Sequence, residues 1–503
     1  MKQKLIDYYK KNPLSIILLV ALAIRLLSVF FAKGYGMHDD HFLIIESSRS
    51  WVDGYDYNNW LPQSQGENAR PEGHSLFYPV LSFFFFKILS FIGITALDTQ
   101  MYFVRFFHAL LSLLTIYFGY KITYSVTQNK KTANIVGWFL ALYWVMPWLS
   151  VRNLVEIVCV PFLLWATYLY IKDTKPKTSN IIYSALLMAI AFALRFQVIF
   201  FIGGFGLAML IYKQFKEAII WTFVLLVAFF LTQGADLYIW KRPFAEMQEY
   251  IMYNFTHSGA YPNAPWHNYL GVIVGVLLPP ISILLLFGFF YGYKRLFLFL
   301  PSFCFLLFHS LFPNKQERFI FPILAFIIIL GIISLVDIMN KYNSHRWIRK
   351  TIKICFWISL VFNTILIIPT TIHYSKKSKV ETMVYLSHYN NIGAFAVENT
   401  NKSVSMFPRA YLGQWTPFYE ISKENVDRLD INQKPIPSFF IFEGEENIDN
   451  RVNKIKETYP NIEYETTIET SFIDQMLQNI NPNSRNYRNI IYRNKDIFPQ
   501  KKL

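Results

Sequence analysis

Long apolar runs separated by short polar segments dominate the first three quarters of the chain. A run of roughly 17–25 apolar residues is needed to cross about 30 Å of hydrocarbon, and about eleven runs of this kind occur. The run at 181–212 is the longest. If it forms two shorter helices, we expect the break near Gly203-Gly204. The pattern therefore predicts an all-α polytopic membrane protein. The predicted transmembrane helices lie near residues 14–32, 76–95, 101–124, 133–149, 153–171, 181–212, 217–233, 269–291, 296–312, 319–338 and 350–370.

The pattern changes at about residue 375, where the apolar runs end. Short stretches rich in β-branched and aromatic residues then alternate with polar segments, which is typical of a small α/β domain. A polar helix is predicted at Glu446–Tyr459, just before Pro460. We therefore predict a transmembrane domain over residues 1–372 and a soluble extracytoplasmic α/β domain over residues 373–503. The predicted strands are Ser403–Phe407, Ser438–Phe442, Glu463–Ile468 and Asn489–Tyr492.

The short loops between apolar runs carry the lysines and arginines that set membrane orientation. Counting the helices alternately places most of these residues on one side, which we take as cytoplasmic. The loops at 33–75, 234–268 and 313–318 then face the opposite side, together with everything after residue 371. Two groups of lysines fall on the extracytoplasmic side instead, and one crossing more or fewer between residues 76 and 180 would move them to the cytoplasmic side. The agreeing residues are Lys2, Lys4, Lys10, Lys11, Lys213, Lys216, Lys294, Arg295, Lys341, Arg346, Arg349 and Lys350; the disagreeing ones are Lys130, Lys131, Lys172, Lys175 and Lys177.

Composition agrees with a membrane protein: 53% of the residues are hydrophobic and 18% are aromatic. A net charge of +15 would suggest a nucleic-acid partner in a soluble protein. Here many of the basic residues flank apolar runs, so they indicate topology and contact with anionic lipids instead. Cys159, Cys304 and Cys355 all lie inside apolar stretches, which predicts no disulfide.

Polar clusters interrupt the apolar chain, and in the predicted topology three of them lie on the extracytoplasmic side. The first contains two adjacent carboxylates between two histidines, directly after the first apolar run. Ionisable groups close to lipid are costly and are therefore candidates for function. The clusters are His38-Asp39-Asp40-His41 with Arg70 and His74; Asp236 and the loop that follows it; and His309 with Lys315-Gln316-Glu317-Arg318.

Other charged residues also have a structural interpretation. Arg152 and Glu156 are four residues apart and could pair along one helix face. The predicted topology also places them on the cytoplasmic side. Arg25 and Arg195 fall within apolar runs, where structural pairing and binding of a lipid phosphate are both open.

Several motifs in order resemble one enzyme family over about residues 10–340. The chain is similar to the polytopic GT-C-type glycosyltransferases that use polyprenyl-phosphate sugars, in particular the glycosyltransferase family 22-like branch that adds mannose in GPI-anchor and N-glycan precursor assembly. The first loop resembles a His-Pro-Asp-Glu-x-Phe-Gln motif, with Asp40 in place of Glu. The matching segments are His38–Phe42, His74–Pro79, Arg152–Glu156, Lys315–Phe319, and Asp236, Trp240, Phe244, Asn254, Gly259 and Pro265–Tyr269.

The resemblance implies transfer of a hexose, mannose in this branch, from a polyprenyl-phosphate sugar to a glycan or glycolipid acceptor. Inverting transfer needs one base for the acceptor hydroxyl, and we assign Asp39, with Asp40 orienting the acceptor or a water network. Lys315 and Arg318 are assigned to the leaving phosphate, with Glu317 holding Arg318. Further substrate-binding candidates are His41, Arg70, His74, Asp236 and His309. We predict no cofactor and no resident metal, because consecutive side chains seldom converge on one ion.

Two other classes of protein remain open. A transporter or flippase for lipid-linked saccharides would place functional charges near mid-bilayer. A non-catalytic assembly component would use the same basic residues to bind the lipid carrier. The composition, rich in Lys, Ile and Asn, favours a bacterial plasma membrane with the site on its extracytoplasmic face over the endoplasmic reticulum.

Overall fold

The computed structural model describes residues 10–257, 263–428 and 434–501. Lys2, Lys4 and Gly259 therefore lie outside the described residues, as does the 258–262 part of the predicted 234–268 loop. The chain divides into two compact units. The first consists of Met1–Phe30, Asn58–Leu81 and Val104–Ile372, and the second of Phe31–Tyr57, Ser82–Phe103 and His373–Leu503.

Apolar helices account for most of the chain before residue 372. In the described ranges, five helices are long and apolar enough to cross a membrane, or six if Ile281–Tyr291 and Leu296–Leu311, which are bent by 115°, form one span. The predicted helical membrane fold is confirmed in this form, whereas a total of eleven spans stays a prediction. The five are Pro13–Phe31, Leu97–Thr127, Phe215–Trp240, Glu317–Lys341 and Arg346–Thr371; shorter apolar helices are Phe77–Phe91, Val155–Ile171, Thr178–Leu194 and Phe196–Ile211.

Shorter helices connect these elements. They include His38–Phe42 and Ile45–Val52, which carry the first polar cluster. The other short helices before residue 372 are Pro62–Gln65, Lys130–Leu142, Val145–Leu149, Gly234–Trp240, Ala245–Thr256 and Asn268–Val276.

The long apolar run at 181–212 divides at Arg195, so the expected break at Gly203-Gly204 is wrong. Arg195 has an extended backbone (φ −152°, ψ 108°) between Thr178–Leu194 and a short turn that leads into Ile199–Ile211. Gly204 serves close packing instead, because a Cβ atom there would lie 2.7 Å from the Leu300 carbonyl oxygen. Packing between neighbouring helices therefore explains this glycine.

A five-stranded sheet forms the centre of the C-terminal part of the second unit, and its strands are β1 Phe395–Asn399, β2 Phe418–Ser422, β3 Phe439–Glu443, β4 Ile462–Ile468 and β5 Asn489–Asn494. The strand order in the sheet is β2-β1-β3-β5-β4. β1 runs parallel to β2 and β3, whereas β5 runs antiparallel to β3 and β4. Ala396, Phe440 and Phe442 pack with Ile455 of the Ile448–Lys456 helix in the buried core. The other helices of this part are Lys377–Leu386 and Phe472–Ile480.

Three of the four predicted strands correspond to β3, β4 and β5, and no end differs from the prediction by more than two residues. The strand predicted at Ser403–Phe407 is wrong, because that segment is a loop whose Ser405 hydroxyl donates to Glu443. β1 was missed since it contains a charged residue, Glu398. This carboxylate is fully buried and accepts from Arg451 Nε at 2.8 Å. The extracytoplasmic location and the boundary at residue 373 stay predictions.

Candidate active site

The first polar cluster forms a short helix, His38–Phe42, in the second unit. Its first turn is tied down by Asp40, which is 4% exposed. The Asp40 carboxylate accepts from the backbone N–H of Gly36 at 2.9 Å and from that of Met37 at 3.2 Å. Because both oxygens are engaged by the chain just before the helix, Asp40 holds the start of the helix in place.

Asp39, by contrast, keeps its side chain 32% exposed. Nδ1 of the neighbouring His38 lies 3.5 Å from Asp39 Oδ1. Of the two adjacent carboxylates, Asp39 is thus the one that a substrate could reach.

His41 is buried, and its contacts indicate a structural role. Its Nε2 lies 2.9 Å from Glu46 Oε1, and its ring stacks on Tyr35 and Tyr411 at centroid distances of 5.1 and 5.5 Å. Glu46 also accepts from the backbone N–H of Ala410, at 3.0 Å from each of its oxygens. This fully buried carboxylate therefore joins residues of the first loop to the 409–412 turn within the second unit.

A second buried carboxylate, Glu246, organises polar loops of the first unit. It accepts from the backbone N–H of Gly73 at 2.8 Å, from that of His74 at 3.1 Å and from Trp240 Nε1 at 2.7 Å. Its own N–H donates to Asp236 at 3.0 Å. Two substrate-binding candidates, His74 and Asp236, thus meet at a residue that the sequence motifs did not single out.

The remaining candidate of the first loop, Arg70, is exposed. Its backbone is held by Gln65, which accepts from the Arg70 N–H at 2.7 Å and donates to its carbonyl at 2.9 Å. The His74 ring stacks on Trp60 with a centroid distance of 4.8 Å. Both residues belong to the first unit, unlike Asp39 and Asp40.

Two arginines of the first unit converge on one buried carboxylate, Glu156. Arg195 Nη1 contacts Glu156 Oε1 directly, and Arg318 Nη1 lies 3.5 Å from the same oxygen. Gln316 Oε1 accepts from Arg318 Nε at 2.9 Å and from Nη2 at 2.6 Å. Both guanidinium groups also lie over the ring of Phe319, at 5.1 and 5.2 Å. Gln316 and Glu156 therefore hold Arg318, the role that we expected of Glu317, which is exposed.

This cluster carries hydrogen-bonding groups without a partner among the described residues. Nε and Nη2 of Arg195 and Oε2 of Glu156 are buried and make no hydrogen bond. His309 Nε2 is likewise buried and unbonded, while its Nδ1 is 2.8 Å from the Phe305 carbonyl oxygen. Since buried polar groups are nearly always bonded, the cluster has the chemistry of a site that is completed by an anionic ligand.

Lys315 is engaged differently from what we expected. Its ammonium donates to the carbonyl oxygens of His309 and Ser310 at 2.9 Å each, and to that of Phe312. These carbonyls belong to the last turn and the end of the Leu296–Leu311 helix. Lys315 therefore caps this helix, and its three donors are used within the protein.

The contact between Glu156 and Arg318 also corrects the predicted topology. That topology placed residues 152–156 on the cytoplasmic side and residues 313–318 on the opposite side. Two side chains whose atoms lie 3.5 Å apart cannot be on opposite faces of a membrane. One signal was available in the sequence, since Arg195 and Glu156 are ionisable residues within or beside apolar runs, where a buried partner is expected.

Comparisons with known proteins fit this geometry. The sequence model of the Alg9-like mannosyltransferase family matches residues 16–413, well over half of the chain. The GPI alpha-1,2-mannosyltransferase 3 of Bos taurus is 23% identical over 420 residues, which are 80% of this chain and 71% of that protein. The Homo sapiens protein of the same name is 24% identical over 322 residues, 62% of this chain and 55% of that protein.

A solved structure shares the fold. The crystal structure of ArnT from Cupriavidus metallidurans bound to undecaprenyl phosphate superposes with a TM-score of 0.59, covering 95% of this chain and 97% of that chain. The two sequences are only 10% identical, so this likeness concerns the fold alone.

Glu246 gives a prediction on pH dependence. Burial raises the pKa of Glu246 to about 7, against the opposing effect of the N–H groups of His74, Trp240 and Gly73. A folded-state pKa above the unfolded value of 4.5 means that this residue stabilises the fold most below pH 4.5 and that the contribution is lost as the pH rises to 7.

We expect the melting temperature of the wild-type protein in detergent to fall from pH 5 to pH 8 by more than that of Glu246→Gln. The difference should correspond to on the order of 2 kcal/mol. Glu249→Gln, on the same Ala245–Thr256 helix, is the control and should follow the wild type. Parallel curves for the wild type and Glu246→Gln would contradict the raised pKa.

Proposed function

The chain belongs to the Alg9-like mannosyltransferase family and is a membrane glycosyltransferase; from this premise we propose that it transfers mannose from a polyprenyl-phosphate donor to a glycan or glycolipid acceptor. The anomeric configuration is inverted in this reaction, because a single displacement by the acceptor hydroxyl breaks the bond to the phosphate. The donor's tail stays in lipid, and membrane lipids are therefore part of the enzyme's environment.

One observation supports this proposal most: the Glu156 cluster has more positive charge than its single carboxylate can balance. Arg195 and Arg318 share Glu156, which leaves a net charge of about +1 in a buried place. Arg195 still has Nε and Nη2 to donate. A phosphate accepts hydrogen bonds from a guanidinium on two oxygens at once, so it would complete this arrangement.

The leaving phosphate is weakly basic and needs no general acid, only positive charge. We assign that charge to Arg195 and Arg318 and reassign Lys315 to a structural role, since its ammonium already donates to three carbonyl groups. His309 would contribute a further buried polar atom near the same residues.

The acceptor hydroxyl must lose its proton as it attacks the anomeric carbon, and we assign Asp39 as the base. Asp39 is the accessible carboxylate of the first cluster, whereas Asp40 and His41 hold that segment through buried contacts. A carboxylate suffices for this step when it lies within hydrogen-bond reach of the hydroxyl. Asp40 therefore acts in our proposal as a positioning residue.

Two changes in the number of membrane crossings bring the topology into agreement with the Glu156–Arg318 contact and with the positions of the lysines. Phe77–Phe91 is proposed not to cross, because its residues from Ser82 onward belong to the second unit together with the sheet. The run at 181–212 is proposed to cross twice, as two helices that meet at Arg195. The first change moves residues 125–180 to the other side, and the second restores the order after residue 212.

All the lysines that disagreed then lie on the cytoplasmic side, as the positive-inside rule requires. Glu156 moves to the side of Arg318, which their contact demands. Residues 373–503 remain extracytoplasmic in this proposal. A bacterial plasma membrane stays a prediction from composition, and the two relatives named above are mammalian.

Cysteine labelling tests this topology. In a variant without Cys159, Cys304 and Cys355, we expect Thr174→Cys to resist a membrane-impermeant maleimide in sealed right-side-out vesicles and to react once the vesicles are permeabilised. Glu67→Cys, in the first loop, is the control and should react in sealed vesicles. Reaction of Thr174→Cys before permeabilisation would contradict the proposed crossings.

The function is tested by transfer of radiolabelled mannose from synthetic polyprenyl-phosphate mannose in detergent. Asp39→Asn should lower kcat by about 100-fold or more, because the variant loses the base but keeps the size of the side chain. Asp98→Asn is matched to it, since Asp98 is 34% exposed and also lies in the second unit. The control should keep wild-type turnover.

Full turnover by the Asp39→Asn variant would show that Asp39 is not the base. Movement of intact polyprenyl-phosphate mannose across vesicles by the wild type, without any transfer, would favour a flippase instead.

The proposed phosphate site predicts that substitutions of Arg195 and of Lys315 have different effects on the KM for the donor. Arg195→Gln should raise the KM for the donor about 10- to 100-fold, the effect of losing hydrogen bonds to a charged group. Arg195→Lys, which keeps the charge but not the planar fork, should have an intermediate effect. Lys315→Gln should lower the melting temperature while the donor KM changes by less than about threefold. A larger increase of the donor KM in Lys315→Gln than in Arg195→Gln would indicate that Lys315 binds the phosphate.

A further inference from the structure

An exposed aromatic side chain of the second unit, Tyr55, stacks on the half-buried Trp415 beside the first polar cluster. Tyr55 is 40% exposed, and its ring lies 5.4 Å from that of Trp415 with an angle of 23° between the planes. Trp415 comes from the segment just after the end of the family match at residue 413. The pair therefore joins a residue of the first loop to a residue that the family match does not cover.

Polar contacts fix the orientation of these rings. Trp415 Nε1 donates to Asp53 Oδ2 at 2.9 Å, and Asp53 Oδ1 is contacted by Arg49 Nη1. Asp53 remains 29% exposed. A stacked pair with a carboxylate at its edge is thus held rigidly, which lowers the entropy that a bound ligand would cost.

The stack continues toward the candidate base through further rings. Tyr57 lies 5.9 Å from Trp415, and Phe42 lies 6.5 Å from Tyr57. Phe42 and His38 then stack at 4.5 Å on the helix that carries Asp39. An unbroken series of rings therefore leads from the Tyr55–Trp415 pair to the His38–Phe42 helix.

Donors and acceptors without a partner occur next to this series. The Arg409 guanidinium lies 4.7 Å from the centre of the Tyr57 ring, and its Nε is buried without a hydrogen bond. Thr416 Oγ1, adjacent to Trp415, is buried as well, and neither of these two atoms has a hydrogen-bond partner within the described ranges. Because such groups are rarely left unpaired, a ligand with several hydroxyls would complete them.

We propose that Tyr55 and Trp415 form a subsite for the acceptor glycan, with a sugar ring on the aromatic faces and its hydroxyls on Asp53 and Arg409. Pyranose rings have an apolar face of C–H groups and a rim of hydroxyls, so they match an aromatic face with polar groups at its edge. This inference rests on the proposed function, since it names where the acceptor of that reaction binds.

Exposed aromatic residues of membrane proteins also lie at the lipid interface, where the indole N–H meets headgroups. Here the Trp415 N–H is already used by Asp53. The Asp53 carboxylate is in turn paired with Arg49. An indole N–H that is already committed within the protein favours a glycan over a membrane surface.

Binding of a soluble probe tests the subsite without any turnover. The probe is reducing-end-methylated mannotriose, measured by saturation-transfer NMR with the full-length protein in detergent. Tyr55→Ala and Trp415→Ala should each weaken binding about fivefold, and Trp415→Phe should retain most of it. Tyr464→Ala is the control, because Tyr464 is 54% exposed in the same unit but lies outside the ring series. Melting temperatures check that each variant is folded.

Unchanged mannotriose binding by both folded alanine variants would overturn the subsite even if the wild type transfers mannose. Unchanged binding together with loss of transfer only in lipid nanodiscs would assign the rings to the membrane surface, which also overturns the inference. Conversely, a loss of binding in both variants would support the subsite even if no transfer from polyprenyl-phosphate mannose were found.

Discussion

Charge balance around one buried carboxylate, Glu156, constrains how three segments of the first unit come together. Removing an ion from water costs several kcal/mol even after the protein relaxes, unless an opposite charge compensates it. Glu156 compensates one guanidinium, yet Arg195 and Arg318 both face it. The breaks in the helices at Arg195 and before Val155 bring these side chains to one place. A site with one surplus positive charge and unused donors is stabilised by a bound phosphate, and this property connects the fold to the proposed chemistry.

Buried carboxylates that accept backbone N–H groups hold the polar loops of both units. Asp40 accepts from the residues before its own helix, Glu46 from Ala410, and Glu246 from Gly73 and His74. Each of these contacts fixes a loop to a defined position, which a transferase needs for its substrate-contacting side chains. Asp40, Glu46 and Glu246 thus have structural roles, whereas our proposal assigns the base to Asp39, whose side chain is 32% exposed.

Sequence reasoning was strongest where one local pattern decides the outcome. Apolar runs predicted the membrane helices, and short motifs in order predicted the family. It failed where residues far apart in the chain decide. The charged strand β1 depends on a pair between Glu398 and Arg451, and the break of the long run depends on the partner of Arg195. None of these partners can be read from neighbouring residues. Glu246 was missed for the same reason.

The most direct test is a cryo-EM structure of the full-length protein with polyprenyl phosphate bound, in lipid nanodiscs. The charge balance around Glu156 predicts density for the phosphate within hydrogen-bond distance of Arg195 Nε or Nη2, with Arg318 on the same anion. A phosphate bound to Lys315 or elsewhere, with the Arg195 donors still unpaired, would contradict the central claim.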